Sequence, residues 1–128
     1  MNATFDDTEK LLRAVWPPNR KPDFWVNGRL SSAALKDKQG LSVDRTFDRA
    51  LSVAIEFMKT RLHGYIVSFP VPACSFAQVY LQYLPSKTNP YHSEIHGSET
   101  EVMLSDEQAL LLARSAKLEF EPYSEYKV

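Results

Sequence analysis

The strongest hydrophobic pattern in the chain runs over residues 46–62. Apolar residues recur there with a period of about 3.6, which is typical of an amphipathic helix. The apolar stripe consists of Phe47, Ala50, Leu51, Ala54, Ile55, Met58 and Leu62. Asp44 or Thr46 can cap the start, and Gly64 suits the left-handed position that follows a helix end. The pattern therefore predicts one well-defined helix in the middle of the chain.

Two further helices are predicted towards the ends of the chain. The i, i+1, i+4, i+5 spacing of one helical face is followed by Leu11, Leu12, Val15 and Trp16. Pro17 ends that segment, because a proline disfavours helical geometry in the residue before it. Towards the C-terminus, Ser105 and Gln108 have the spacing of a capping box and predict the start of the last helix.

Three short segments predict individual β-strands. Residues 65–69 form a continuous apolar run that Pro70 closes, which is typical of a buried strand. Residues 78–84 are rich in aromatic and branched apolar side chains and predict a second strand. Residues 91–96 predict a strand or an extended edge.

A β-hairpin is predicted from residues 30–36 and 41–45. The connection between them is short and contains Gly40, which favours a tight reversal of the chain. The small residues at 31–34 equally fit the start of a serine-capped helix. Both interpretations of the first segment stay open at this point.

Together these elements predict an α+β fold. The expected architecture is a single-layer mixed β-sheet of about 4–5 strands packed by about 2–3 helices, with two helices on one face of the sheet. The length of 128 residues fits a single domain that spans residues 1–128. Residues 1–7 and 119–128 are expected to be frayed tails, or in the second case a tail draped on the domain.

Composition and cysteine usage indicate a cytoplasmic protein. A hydrophobic content of 44% supports a core without covalent staples. Cys74 is the single cysteine, which suits a reducing compartment. Residues 1–7 are acidic and lack the apolar segment of a signal peptide. The most apolar window, residues 65–84, is interrupted by prolines and glutamines, so no membrane span is expected.

Charge favours no particular class of partner. The net charge is −1, composed of +3 over residues 1–64 (11 Lys/Arg, 8 Asp/Glu) and −4 over residues 65–128 (4 Lys/Arg, 8 Asp/Glu). Nucleic-acid binding is therefore not indicated, although a local basic face is open to Arg20, Lys21, Arg29, Lys36, Lys38 and Arg45. An unknown protein partner is expected. The aromatic series Phe120, Tyr123 and Tyr126 either supports such a contact or self-association into a homo-oligomer, or packs back on the domain.

The most suggestive chemical pattern is the His–Glu–His run at His92, Glu94 and His96. In a strand, side chains two residues apart project to the same face. The three groups could then supply a general base and a proton shuttle, and they are the candidate catalytic residues. Metal coordination would need a bend, because side chains at i and i+2 in a strand lie about 6–7 Å apart. No metal or other cofactor is therefore predicted.

A second cluster predicts an anion-binding site. Its candidate residues are Ser32, Lys36, Asp44 and Arg45. Lysine would act as a point charge and arginine as a bidentate clamp on a phosphate or carboxylate. Asp44 and Arg45 could equally be a helix cap and an exposed charge. Cys74 lies among apolar residues, which favours an inert buried thiol over a nucleophile.

Three segments resemble small prokaryotic proteins that have no established activity. These segments are residues 22–25 (PDFW), residues 31–37 with 40–45 (SSAALKD and GLSVDR) and residues 89–95 (NPYHSEI). The resemblance spans about residues 10–118 and implies a bacterial cytoplasmic origin. It implies no role for any residue.

Two functions are consistent with these patterns. The first is a non-enzymatic binding or interaction module, which is favoured because no complete catalytic signature is present. The alternative is a small hydrolase- or nuclease-like enzyme that acts on a phosphate-bearing or nucleic-acid substrate with a His/Glu acid–base or metal site. The enzyme requires the His–Glu–His run and the anion-binding cluster to face one pocket.

Overall fold

The computed structural model describes residues 1–18 and 24–122. The strands in this part of the chain are β1 (Lys10–Val15), β2 (Trp25–Val26), β3 (Arg29–Leu30), β4 (Leu41–Arg45), β5 (Tyr65–Pro70), β6 (Tyr80–Tyr83), β7 (His92–His96) and β8 (Lys117–Phe120). The helices are α1 (Leu51–Lys59), α2 (Val71–Phe76) and α3 (Asp106–Ser115), with a 3₁₀ helix at Ser32–Leu35. Six strands form one sheet in the order β6-β7-β4-β1-β5-β8, and β2 and β3 form a separate hairpin.

The predicted α+β class is confirmed, but the predicted sheet was too small and of the wrong type. The main sheet has six strands rather than about four or five, and each of its pairings is antiparallel. The helices also cover both faces, whereas two were expected on one. The 3₁₀ helix, α2 and α3 pack on the face that carries Leu11 and Phe69, and α1 packs on the face that carries Leu12 and Ile66.

The predicted N-terminal helix is wrong, because this segment is strand β1 in the middle of the sheet. Leu11 and Leu12 are both 0% exposed, and they belong to the cores on opposite faces of the sheet. A strand covered on both faces has apolar neighbours in sequence rather than an alternating pattern. A short run of this kind imitates one face of a helix, so its periodicity alone could not distinguish the two.

The central helix begins later than its apolar stripe predicted. The chain makes a turn in which the amide of Arg49 donates to the carbonyl oxygen of Thr46, and Asp48 has a φ of 50°. A positive φ interrupts a right-handed helix, so α1 starts only at Leu51. Ala54 and Met58 of the predicted stripe are buried against the sheet.

The predicted hairpin is also wrong. Residues 32–35 form the 3₁₀ helix, so the helical interpretation of this segment is the one the structure adopts. β4 pairs instead with β1 and β7.

At the other end of the chain the predicted capping box is confirmed. The backbone amide of Gln108 donates to Ser105 Oγ at 3.1 Å, and the backbone amide of Ser105 donates to Gln108 Oε1 at 2.9 Å.

The two predicted tails include residues with defined contacts. The carbonyl oxygens of Asn2 and Thr4 accept hydrogen bonds from the buried guanidinium of Arg45, at 2.6 and 3.0 Å. At the other end, Glu119 and Phe120 belong to β8, a strand that was not predicted. β8 pairs with β5 and completes one edge of the sheet.

Some predictions concern residues 19–23 and 123–128, which lie outside the described part of the chain. They include the basic residues Arg20 and Lys21, the aromatic residues Tyr123 and Tyr126, and the first half of the segment at 22–25. Within residues 1–18 and 24–122, none of the helices combines the length and the apolar character needed to cross a bilayer.

Candidate functional site

The His–Glu–His run forms strand β7, which lies between β6 and β4 rather than at an edge of the sheet. His92, Glu94 and His96 project to one face, and the buried Ser93 and Ile95 project to the other. The register pairs His92 with Asp44 and Glu94 with Ser42, so polar residues of β4 share this face. The face is the one on which α1 packs further along the sheet.

The two histidines of β7 have different partners. His96 Nε2 lies 2.7 Å from Glu94 Oε1, so the carboxylate fixes the orientation of this ring. The ring also lies against Gly40, where an added Cβ would be 2.8 Å from it. His92 instead donates from Nδ1 to the carbonyl oxygen of Leu84 at 2.9 Å. No group of three His, Cys, Asp or Glu side chains in the described residues could hold a metal ion.

The predicted anion-binding residues are not brought together. Lys36 donates from Nζ to the carbonyl oxygen of Leu104 and to Asp106, both at 2.8 Å, at the start of α3. Arg45 is 0% exposed on that same side of the sheet, where it forms an ion pair with Glu9. Ser32 begins the 3₁₀ helix. Of the four, only Asp44 shares a face with the His–Glu–His run.

A groove opens beside Asp44 because β1 and β4 separate. These strands pair only at Leu11 with Arg45 and at Leu12 with Asp44, whereas β1 pairs with β5 over six residues. Arg13 crosses the gap and donates from Nη1 to the carbonyl oxygen of Ser42 at 3.0 Å. We call the resulting cavity, of about 360 Å³, the β1–β4 groove. It is lined by Arg13, Ala14, Trp16, Ser42, Val43, Asp44, Met58, Arg61, Leu62, His63 and His92.

Asp44 organises one wall of the β1–β4 groove. It is 3% exposed, and its carboxylate accepts hydrogen bonds from Arg61 and, at 2.9 Å, from Asn89 Nδ2. Arg61 follows α1, and its side chain remains 29% exposed. Its Nε and Nη1 groups have no hydrogen-bond partner in the described residues. The buried carboxylate therefore holds a guanidinium in place while part of its donor fork stays free.

Positive charge exceeds negative charge around Asp44. Burial lowers the pKa of the Arg13 guanidinium, and Asp37 at 3.8 Å offsets this in part. Burial likewise lowers the pKa of Arg49, whose Nε is buried without a hydrogen-bond partner in the described residues. Arginine stays charged at neutral pH, so these shifts mark cations that have lost hydration without full replacement.

Aromatic rings hold the arginines around Asp44 in place. The guanidinium carbon of Arg49 lies 3.5 Å from the ring centroid of Tyr91, and that of Arg61 lies 4.5 Å from the ring centroid of Phe57. A cation over the face of an aromatic ring is attracted by the negative charge of that face. Such contacts orient the guanidinium without neutralising it, so the surroundings of Asp44 remain attractive to an anion.

Cys74 is buried in the core and takes no part in this site. It is 0% exposed, and desolvation raises the pKa of its thiol to about 12. A thiol that stays protonated is a poor nucleophile, which supports the interpretation of Cys74 as an inert core residue.

No family model, curated protein or solved structure matches this chain. Two residues of the β1–β4 groove, Asp44 and His92, were candidates from the sequence, and Arg13, Arg61 and His63 were not. The only local sign of Arg61 is that it lies just after the end of α1, where a cation complements the helix dipole.

Proposed function

We propose that the protein is a binding domain that takes up a phosphate-bearing ligand in the β1–β4 groove. The observation that carries the proposal is the pairing of a buried carboxylate, Asp44, with Arg61, whose Nε and Nη1 donors have no partner among residues 1–18 and 24–122. Arginine presents its donors in a planar fork that matches phosphate oxygens, so a guanidinium fixed in advance costs little further ordering when it binds.

Other groups around the β1–β4 groove add to this affinity. Arg13 supplies a second guanidinium, which is positioned at the groove by its hydrogen bond to the carbonyl oxygen of Ser42. His92 also lines the groove, and the contact of its Nδ1 with the carbonyl oxygen of Leu84 fixes its ring. The volume of about 360 Å³ suits a small ligand rather than a folded partner.

The first test is a titration of the protein with inorganic phosphate, followed by the backbone amide signals in two-dimensional NMR. We expect saturable shifts at Ser42, Asp44 and His92 in the native sequence. Arg61→Gln should raise the dissociation constant about 10- to 100-fold, because a hydrogen bond to a charged group contributes about 1.5–3 kcal/mol.

The matched control is Lys59→Gln, which removes the same charge two residues earlier. Lys59 pairs with Glu56 at 3.1 Å and does not line the β1–β4 groove. This variant should bind phosphate as the native protein does. Equal weakening in both variants would indicate a diffuse electrostatic effect and overturn the proposal, as would shifts that never saturate or that fall elsewhere on the surface.

One observation favours a second candidate function, the hydrolysis of a phosphate ester. A carboxylate that orients a histidine is a common arrangement for a general base, and Glu94 orients His96 in this way. Hydrolysis ranks second because neither Glu94 nor His96 lines the β1–β4 groove. If it holds, turnover of bis(4-nitrophenyl) phosphate should fall about 10²- to 10⁴-fold in His96→Asn and persist in Lys59→Gln. Activity that survives in His96→Asn would exclude this function.

A further inference from the structure

A second cavity lies on the opposite face of the sheet, beyond the edge of α3. Its floor is formed by Val67 of β5 and Leu118 of β8, and Leu110 and Ala113 of α3 form one wall. The β2–β3 hairpin closes the other side. We call this space, of about 550 Å³, the α3–hairpin cavity. Its volume falls within the range of about 300–1,000 Å³ that is usual for small-molecule sites.

The walls of the α3–hairpin cavity leave apolar side chains in contact with water. Leu110 and Leu118 both line the cavity and are each 42% exposed. Ala113 on α3 is small and leaves room between them. An apolar group that entered the cavity would remove this surface from water, which stabilises a complex by about 25 cal/mol per Å².

A hydroxyl group of the same cavity lacks a partner among the described residues. Ser31 precedes the 3₁₀ helix, but its side chain does not cap that helix. Its Oγ is buried and has no hydrogen-bond partner among residues 1–18 and 24–122. A buried polar group without a partner is costly, so a structure usually provides one, either from the protein or from a ligand.

Two arginines at the rim of the cavity also have side chains without a partner in the part of the chain that the structure describes. Arg29 belongs to the hairpin and Arg114 to the last turn of α3, and both are exposed. The side chain of neither residue forms an ion pair or a hydrogen bond within the described residues. Two like charges beside one cavity repel each other, and an anion bound between them would relieve that repulsion.

We propose that the α3–hairpin cavity binds a small monocarboxylic acid with an apolar acyl or aryl body. The apolar part lies between α3 and β8, and the carboxylate meets Arg29 and Arg114, with Ser31 as a further donor. A singly charged head group is preferred to a phosphate, because a more highly charged group loses more hydration beside the apolar walls. This site is independent of the β1–β4 groove, which lies on the other face of the sheet.

The test uses octanoate as the probe, with 1-octanol as an uncharged analogue of the same chain length. Both are titrated into the full chain and followed by the amide signals of Ser31, Ala113 and Leu118. We expect octanoate to bind saturably at these residues, and about tenfold more tightly than 1-octanol, because charge-assisted hydrogen bonds hold its head group.

Three variants distinguish specific binding in the α3–hairpin cavity from nonspecific binding to the protein surface. Arg114→Gln should weaken octanoate about tenfold and leave 1-octanol unchanged. Lys117→Gln is the matched control, because Lys117 pairs with Ser68 on the opposite face of β8 and should have no effect. Ser31→Ala should weaken octanoate without lowering the thermal stability, since it removes a hydroxyl that has no partner in the described residues.

Several results would overturn the proposal. They are equal affinity for octanoate and 1-octanol, equal weakening in Arg114→Gln and Lys117→Gln, and shifts that spread over other exposed apolar residues. A phosphate titration of the same sample keeps the two sites distinguishable. Phosphate binding at Ser42 without octanoate binding would reject this site alone, and the reverse would reject the β1–β4 groove alone.

Discussion

Replacing Arg45 with methionine is expected to lower the free energy of unfolding by about 3–5 kcal/mol. Arg45 and Glu9 have side chains that are 0% and 3% exposed, and they are joined by hydrogen bonds of 2.8 and 2.7 Å. Methionine fills much of the same space, but it leaves the carboxylate of Glu9 buried without its cation. Urea denaturation followed by circular dichroism measures the loss.

The same substitution should release the N-terminal segment. Arg45 donates to the carbonyl oxygens of Asn2 and Thr4, and its guanidinium carbon lies 4.2 Å from the ring centroid of Phe5. Amide exchange over residues 1–7 should therefore become faster in Arg45→Met than in the native protein.

Two controls separate this effect from a general loss of positive charge. Lys10→Met removes a cation that pairs loosely with Glu119 at 3.8 Å, and it should cost no more than about 1 kcal/mol. Combining Arg45→Met with Glu9→Gln should recover part of the stability, because the unpaired charge is then gone. A cost below about 1 kcal/mol for Arg45→Met would show that the pair is not a central stabilising contact.

The elements that were predicted correctly are those with a local signal. Ser105 and Gln108 form a capping box within four residues, so α3 could be located from its own sequence. β5 was visible as an apolar run next to a proline. β1 has a comparable run, but its identity depends on β4 and β5, which pair with it from distant parts of the chain. A strand that is defined by long-range pairing cannot be recognised from a short window of sequence.

The candidate site was predictable only in part for a related reason. Asp44 and His92 were both proposed, and β4 and β7 place them in register. The two arginines of the groove are Arg13 in β1 and Arg61 after α1, and only the strand order brings them next to β4. The assignment of Arg45 to the same site was inconsistent with the predicted strand, because adjacent residues of a strand face opposite sides of a sheet.

The ion pair in the β1–β4 groove should respond unequally to the loss of its two partners. Arg61→Met is expected to lower the free energy of unfolding by about 2–4 kcal/mol, and Asp44→Asn by about 1–2 kcal/mol. The reason is the difference in burial. The side chain of Asp44 is 4% exposed and cannot be hydrated when Arg61 is removed, whereas that of Arg61 is 29% exposed and can turn to water.

The double variant Asp44→Asn/Arg61→Met tests this explanation. With the buried charge removed, the loss of Arg61 should cost little more, so the double variant should be about as stable as Asp44→Asn alone. Denaturation of the native protein and the three variants under one set of conditions gives the coupling free energy. Strictly additive effects, or a larger cost for Asp44→Asn than for Arg61→Met, would mean that Asp44 does not depend on Arg61 for its charge. In that case Asp44 could not be the group that holds the guanidinium ready for a phosphate.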